Sequence, residues 1–464
     1  MARWPRGGGR APTRRDATLS LHVGHDQRLA LQGDLLDFTA EPALDDPASP
    51  GLRWRPGHWL LIENGRIAAV QPDEPDASWP KERHPGRLIL PGFIDTHVHS
   101  AQIDVLGAWG TELLDWLETH TFPAEARMAE PAHARFISGL FLDGLLATGT
   151  TSAMVFPTVH ADSVDALFEA ADARGMRLIA GKVLMDRHAP EFLRDDVAQA
   201  EQDCVELIAR WHGHGRLAYA VTPRFAPTST DAQLAMAGDL MAAHPGLYMQ
   251  THVAENRDEV RWVSELFPWS RSYLDVYERF GLLGPRSMLA HGIWLDAEDR
   301  ARLAATGAML SHCPSSNLFL GSGLFDWAAA RAGGAAVTLG CDVGGGTSLS
   351  MLRTLADAYQ VQALAGRRVT AWSLLHAATR GAALALGLSH EIGALEPGTL
   401  ADVVVWDRAR SPVERRRQAV ARDLHDAIFA WLTLAGDDHV VSTRVAGVER
   451  HRRNDRHEEE SPTP

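Results

Sequence analysis

Two histidines one residue apart close the run Pro91-Gly92-Phe93-Ile94-Asp95-Thr96-His97-Val98-His99. On an extended strand alternate side chains share a face, so His97 and His99 would present two imidazoles to one cation. Three more metal-capable residues end apolar runs further along. They are His252 in Met249-Gln250-Thr251-His252-Val253-Ala254-Glu255, His291 in Met288-Leu289-Ala290-His291-Gly292, and Asp342 in Thr338-Leu339-Gly340-Cys341-Asp342. Any one of them alone reads equally well as a satisfied core residue; five on four strand ends do not. Nitrogen ligands with one carboxylate suit Zn2+, or Fe2+ by softness, and disfavour Mg2+ and Ca2+, which take oxygen cages. A catalytic ion keeps one position for water and lowers its pKa to about 7, which predicts hydrolysis.

Residues so far apart need a scaffold that gathers strand ends. From Leu88 onward apolar strand candidates alternate with Ala/Leu-rich helical stretches: Leu88 to Thr96, Thr151 to Phe156, Met176 to Val183, Leu217 to Pro223, Leu247 to Val253, Ser287 to Ile293, Ala308 to His312 and Val337 to Asp342. Eight such strands predict an α/β fold, a (β/α)8 barrel of the TIM type, whose chemistry lies at the C-terminal strand ends. Strand-like runs also flank this region. Trp59-Leu60-Leu61-Ile62 and Ile67-Ala68-Ala69-Val70 enclose Glu63-Asn64-Gly65-Arg66, a hairpin signal, and Leu400 to Trp406 and Val440 to Val448 return to the pattern. The expected organisation is a disordered arm over 1–20, a small β-sandwich domain built from 21–87 and 388–450, the catalytic barrel over 88–387, and a disordered charged tail over 451–464.

The chain has 464 residues and a formal net charge of −14, which argues against nucleic acid and against an anionic membrane surface. A small-molecule partner fits better. Cys204, Cys313 and Cys341 are scattered, which is no disulfide framework and suits a reducing cytosol. Neither a signal peptide nor an apolar run of membrane-spanning length is visible, so the expected location is cytoplasmic.

The run Pro91 to His99 with His252, His291 and Asp342 resembles the amidohydrolase superfamily. More narrowly, Leu113-Leu114-Asp115-Trp116-Leu117, Thr121-Phe122-Pro123-Ala124-Glu125, Gly181-Lys182-Val183-Leu184-Met185-Asp186, Thr222-Pro223-Arg224-Phe225, Glu255-Asn256-Arg257-Asp258-Glu259 and His312-Cys313-Pro314-Ser315-Ser316-Asn317-Leu318 resemble its guanine deaminases. So do Ile392-Gly393 with Glu396-Pro397-Gly398, and Gly436-Asp437-Asp438. The matches run in order from Leu88 to Val448. Threonine and alanine beside His252, Ser315 and Gly344 are small departures, and none removes a ligand.

The resemblance implies hydrolytic deamination of guanine to xanthine and ammonia, with one zinc or iron per subunit held by His97, His99, His252 and Asp342. It implies that His291 either completes the metal shell or hydrogen-bonds the water. Asp342 would act as base and Glu255 would shuttle a proton to the ring and then to the leaving amine. Arg224 and Gln102 would read the O6 edge of the purine, His252 and Asp342 would border it, and Phe225 would stack on it. The stretch Trp109 to Met128, with Trp116 and Phe122, would wall the pocket. Lys182, Cys313 and Cys341 read as structural, and Gly344-Gly345-Gly346 reads as a close-passing loop. Homologous barrels are often homodimers, so a homodimer is expected. The competing readings are a deaminase or hydrolase of another aminated heterocycle, such as 8-oxoguanine, a pterin or a triazine, and a non-catalytic binding module on the same fold.

Overall fold

The computed structural model describes residues 28–109 and 113–454. The expected terminal arm over 1–20 and most of the charged tail lie outside the described residues, as do positions 110–112 of the expected pocket wall. Among the described residues, no helix is long and apolar enough to cross a membrane.

Four strands open the described chain: β1 (Arg28–Phe38), β2 (Leu52–Glu63), β3 (Arg66–Gln71) and β4 (Lys81–Pro91). Nine more form the barrel region: β5 (Phe93–His99), β6 (Thr150–Phe156), β7 (Arg177–Ala180), β8 (Val183–Leu184), β9 (Leu217–Pro223), β10 (Tyr248–Val253), β11 (Ser287–His291), β12 (Met309–His312) and β13 (Ala336–Leu339). The last three are β14 (Val403–Trp406), β15 (Val440–Val445) and β16 (Val448–Arg452).

Strands from the two chain ends join in one small β domain, a continuous seven-stranded sheet in the order β16-β15-β14-β4-β1-β2-β3. Apolar side chains from both segments, among them Leu31, Leu60, Ile89, Val403 and Val441, make its core. The β2–β3 hairpin turns at Asn64 (φ 52°) and Gly65 (φ 78°). Two successive positive φ values are what a two-residue Asn-Gly turn supplies. The sheet curls so that this tip meets the β15–β16 turn: Ala401 N–H donates to the Gly65 carbonyl and Gly447 N–H to that of Ala401, each at 2.9 Å.

In the barrel every neighbouring pair is parallel, in the order β5-β6-β7-β9-β10-β11-β12-β13, with β8 beside β9. Closure comes just beyond β13, where Asp342 N–H donates to the His97 carbonyl at 2.9 Å and His99 N–H to that of Val343 at 3.0 Å. Helices between the strands, such as Pro131–Ala147, Val197–Trp211 and Asp231–Ala243, cover the outside. Inside, an apolar layer of Ile94, Met154, Ile179, Tyr248, Met288 and Met309 is capped from below by Leu386, Leu388 and Ile392. Above it Thr96 joins Ser311 (2.7 Å) and Thr338 (2.8 Å) in a hydroxyl layer. The filled interior leaves only its C-terminal mouth for chemistry.

Two expected strands come out differently. Leu88 to Thr96 reads as one strand but breaks at Gly92: Leu88–Pro91 end β4 in the small domain, and the barrel begins at Phe93. A Cβ at Gly92 would sit 2.1 Å from Thr151 Oγ1, so this crossing between sheets admits only glycine. Met176 to Val183 likewise divides into β7 and β8 at Gly181-Lys182.

Candidate metal centre and active site

His97 and His99 end β5, His252 lies next to last in β10, His291 ends β11, and Asp342 follows β13 by three residues. The barrel therefore brings all five to one mouth. The ligand atoms of His97, His252, His291 and Asp342 lie within 4.8 Å of one another. His99 joins them, its Nε2 lying 3.2 Å from His252 Nε2 and 3.4 Å from Asp342 Oδ1. Two ligand atoms about 2.1 Å from one tetrahedral ion stand about 3.4 Å apart, and His97–Asp342 at 3.2 Å, His99–Asp342 at 3.4 Å and His99–His252 at 3.2 Å come close to that spacing.

The chemistry of the donors fits a cation. His252 Nδ1 lies 2.7 Å from the Arg224 carbonyl, an acceptor, so Nδ1 carries the hydrogen and Nε2 keeps its lone pair for the cluster. His291 is oriented in the same way by Asn317 Oδ1, 2.9 Å from its Nδ1. The Nε2 atoms of His97 and His291 are buried without a hydrogen-bond partner, an arrangement that coordination would satisfy. Burial, then the neighbouring His97 and His99, push the His252 pKa well down, and burial takes His99 to about 3, so both imidazoles are neutral, the form a cation would require. Burial alone would raise the Asp342 carboxyl, but His97 and the other imidazoles outweigh it and hold it well below its usual range. His291 (φ 71°) and Asp342 (φ 51°) both adopt left-handed backbone, which costs a non-glycine residue about 1–3 kcal/mol and concentrates at functional sites.

A cavity opens over this cluster, lined by His99, Gln102, Arg224, Phe225, His252, Glu255, His291 and Asp342 together with Leu113, Trp116 and Leu117. His97 lies beneath it, against the ring of Phe156 at 5.0 Å. Glu255 Oε2 is 3.4 Å from His291 Nε2, and Oε1 accepts from Ser322 Oγ at 2.9 Å. Burial, then the nearby Asp342 charge, push the Glu255 carboxyl up to about 8. The helix Arg257–Leu266 begins with the Asn256/Glu259 capping box, in which Glu259 Oε2 accepts from Glu255 N–H at 2.9 Å. Glu255 precedes the cap, and its side chain turns to the cavity.

Arg224 and Gln102 line the same cavity, and both are held by a residue the sequence offers only inside a longer motif. Glu125 accepts from Arg224 Nη1 at 2.9 and 2.8 Å and from Gln102 Nε2 at 3.0 Å. Gln102 Oε1 accepts from Gly344 N–H at 3.0 Å, so one end of each kind of this amide is already engaged by protein. The expected wall is contributed by Leu113, Trp116 and Leu117, whereas Phe122 lies behind it with its ring 5.5 Å from the Arg224 guanidinium carbon. Lys182 is buried and paired with Asp195, away from the cluster, and all three cysteines are buried and free. Ser322 and Asn317, which orient Glu255 and His291, carry no signal of their own in sequence beyond the His312 to Leu318 stretch that contains Asn317.

The chain is 42% identical over 436 residues to the guanine deaminase of Escherichia coli (strain K12), covering 92% of this chain and 98% of that one. The solved structure of the E. coli guanine deaminase superposes with a TM-score of 0.88, covering 92% of this chain and 100% of the other. That of the C. acetobutylicum guanine deaminase, with bound guanine in the active site, gives 0.83 at 26% identity, covering 91% and 100%. The amidohydrolase family model matches residues 88–449, from the end of β4 through the whole histidine–aspartate cluster to β16. With that span, the barrel and the histidine–aspartate mouth accounted for together, the chain belongs to the amidohydrolase family.

Proposed function

We propose that this protein is a guanine deaminase, converting guanine and water to xanthine and ammonia. The observation that carries the reading is the pairing, across one cavity, of a histidine–aspartate cluster with a purine-edge reader, Arg224 with Gln102, in a chain 42% identical to a guanine deaminase over 92% of its length. Zinc held by His97, His99, His252 and Asp342 is the cofactor best suited to neutral imidazoles and one carboxylate. Such an ion supplies the Lewis acidity that makes water a nucleophile near neutral pH.

The protein's own groups do the rest. Arg224 has donors only and suits the C6 carbonyl, and Gln102 keeps one N–H and one lone pair for the same edge. Phe225 covers one side of the purine plane. This orientation points C2 and its amino group at the cluster. A new C2–O bond forms from water and the C2–N bond breaks. Glu255, its carboxyl raised to about 8, gives its proton to the ring nitrogen, where it stays in xanthine. Asp342 takes the first water proton and returns it through Glu255, and the second water proton goes by the same route to the amine, which leaves as ammonia while Glu255 regains a proton. His291, 3.4 Å from Glu255, holds the attacking oxygen in line by a hydrogen bond. Buried donors left unpaired by adenine, which lacks the carbonyl, disfavour that purine.

The test is ammonia release from guanine, adenine, 8-oxoguanine, a pterin, a triazine and cytosine, with metal determined on the same sample. Guanine turned over fastest, with close to one zinc or iron per chain, is the expected result. A preference for another heterocycle would move the substrate within the family, and no turnover with no recoverable metal would leave a binding module.

A further inference from the structure

We infer that Glu125 is the positioning residue of the substrate edge: it fixes Arg224 and Gln102 as one unit and cancels the Arg224 charge, tuning the pocket to a neutral oxopurine. The inference rests on the reading of the site as a guanine deaminase. Three hydrogen bonds define the unit, two from Arg224 Nη1 (2.9 and 2.8 Å) and one from Gln102 Nε2 (3.0 Å), all accepted by one carboxylate. Side-chain exposure is 4% for Arg224 and 1% for Glu125, so this ion pair is out of water. The opposite end of the Gln102 amide is pinned by Gly344 N–H at 3.0 Å. A donor on one side and an acceptor on the other leave that amide a single orientation.

Glu125 sits on the short helix Phe122–Ala126, three residues after Phe122, whose ring lies 5.5 Å from the Arg224 guanidinium carbon. Residues three apart on a helix share a face. One turn therefore both pairs and covers the guanidinium, and the same stretch of chain supplies Leu113, Trp116 and Leu117 to the cavity wall. Among the described residues Glu125 makes its side-chain hydrogen bonds and ion pair with Arg224 and Gln102, and neither with the histidine cluster nor with Glu255. Its effect is electrostatic and geometric. A buried guanidinium without a counter-charge draws anions, whereas a paired one offers N–H donors at no net charge. Guanine is neutral with a carbonyl at C6, and the dioxo product is the more acidic of the two. The Glu125–Arg224 pair thus favours entry of neutral substrate and release of product.

The experiment is steady-state kinetics of metal-loaded wild type, E125Q, E125D, R224A and R224A/E125Q. The ligands are guanine, 2-aminopurine, which has the amino group but no C6 oxygen, and xanthine as inhibitor at neutral and alkaline pH. E125Q should keep its metal, raise KM for guanine about tenfold or more and change kcat less than about threefold. It should lose about tenfold of the preference for guanine over 2-aminopurine. Xanthine should inhibit E125Q more strongly than wild type, increasingly so as pH rises. E125D, with the charge on a shorter arm, should fall between. Adding E125Q to R224A should change guanine KM little, because Glu125 acts through Arg224. Unchanged KM and unchanged preference in E125Q, or an undiminished effect of E125Q in the R224A background, would overturn the inference. If E125Q does not fold, an unshifted KM in E125D does so. A wild type that releases no ammonia from guanine strikes the functional reading instead, whereas an active wild type with unshifted Glu125 variants strikes this inference alone.

Discussion

His99 and His252, 153 positions apart in sequence, bring their Nε2 atoms to within 3.2 Å at the barrel mouth. Because His252 Nδ1 is committed to the Arg224 carbonyl, its Nε2 presents a lone pair to His99. A hydrogen on His99 Nε2 would meet that lone pair directly, and with both Nε2 atoms bare a shared cation is what makes them favourable neighbours. The same carbonyl belongs to the residue whose guanidinium faces the cavity. Arg224 thus orients His252 with its backbone and lines the cavity with its side chain.

Replacing His252 by alanine should therefore lower bound metal to a small fraction of the wild-type level and cut kcat/KM by more than about a hundredfold, since losing even an orienting partner of a ligand costs about ten- to a hundredfold. Elemental analysis of dialysed protein beside the ammonia assay reads both. A variant with full metal and near-normal turnover would remove His252 from the metal set.

Glu255→Gln separates the proton-carrying role proposed for Glu255 from metal binding. Its carboxylate contacts Ser322 and His291, and a glutamine of the same shape can keep the Ser322 contact but cannot exchange a proton. Metal content should stay at the wild-type level while kcat falls by about 10²–10⁴, the range expected for losing a positioned acid–base group. A variant that loses metal in parallel with activity would make Glu255 part of the metal shell and reverse this division of roles.

Much of this site is written locally. His97, His252, His291 and Asp342 each end an apolar run, and a barrel turns that position into a place at the mouth. Asn64-Gly65 names its own turn in the same way. Glu125 is illegible because its partner Arg224 is 99 residues away, and the sequence pattern around a buried acid is the same whether it pairs or points to solvent. The division of Leu88 to Thr96 at Gly92 is hidden for a related reason: apolar periodicity is identical in both sheets, and only the contact with Thr151 shows where the chain crosses between them. The Gln102 amide shows a third limit, since residue type gives its donors and acceptors but not that Glu125 and Gly344 consume one of each.

Asp402 ties the small β domain to the barrel, which predicts a large stability effect with little effect on chemistry. Its Oδ1 accepts from Arg216 Nη1 at 3.1 Å and from Ala446 N–H at 2.8 Å, and its carbonyl accepts from Gly92 N–H at 2.8 Å. The Arg216 and Asp402 side chains are 2% and 3% exposed. Asp402→Ala would strand the Arg216 charge out of water, and breaking a buried pair from one side costs about 3–5 kcal/mol. Urea unfolding should show that loss, with KM of the remaining folded enzyme unchanged. A loss below about 1 kcal/mol, the range of surface pairs, would mean that the pair is hydrated in solution.

The small domain should also set part of the acid limit of stability through Glu82. His84 at 3.5 Å, then Arg444 at 2.7 Å and Arg452 at 3.2 Å, overcome the opposing effect of burial and hold the Glu82 carboxyl down at about 2 from its ordinary 4.5. A depressed folded-state pKa means that protonation costs the folded protein more than the unfolded chain. The stabilisation is therefore complete above the ordinary value and is lost as pH falls from 4.5 towards 2. Glu82→Gln removes the charge at every pH. The melting temperature of the variant should lie below that of wild type by a constant amount at neutral pH, and the gap should close through this acid window. A gap that stays constant to the bottom of the window, or that widens in acid, would show that Arg444 and Arg452 do not hold this carboxylate charged in solution.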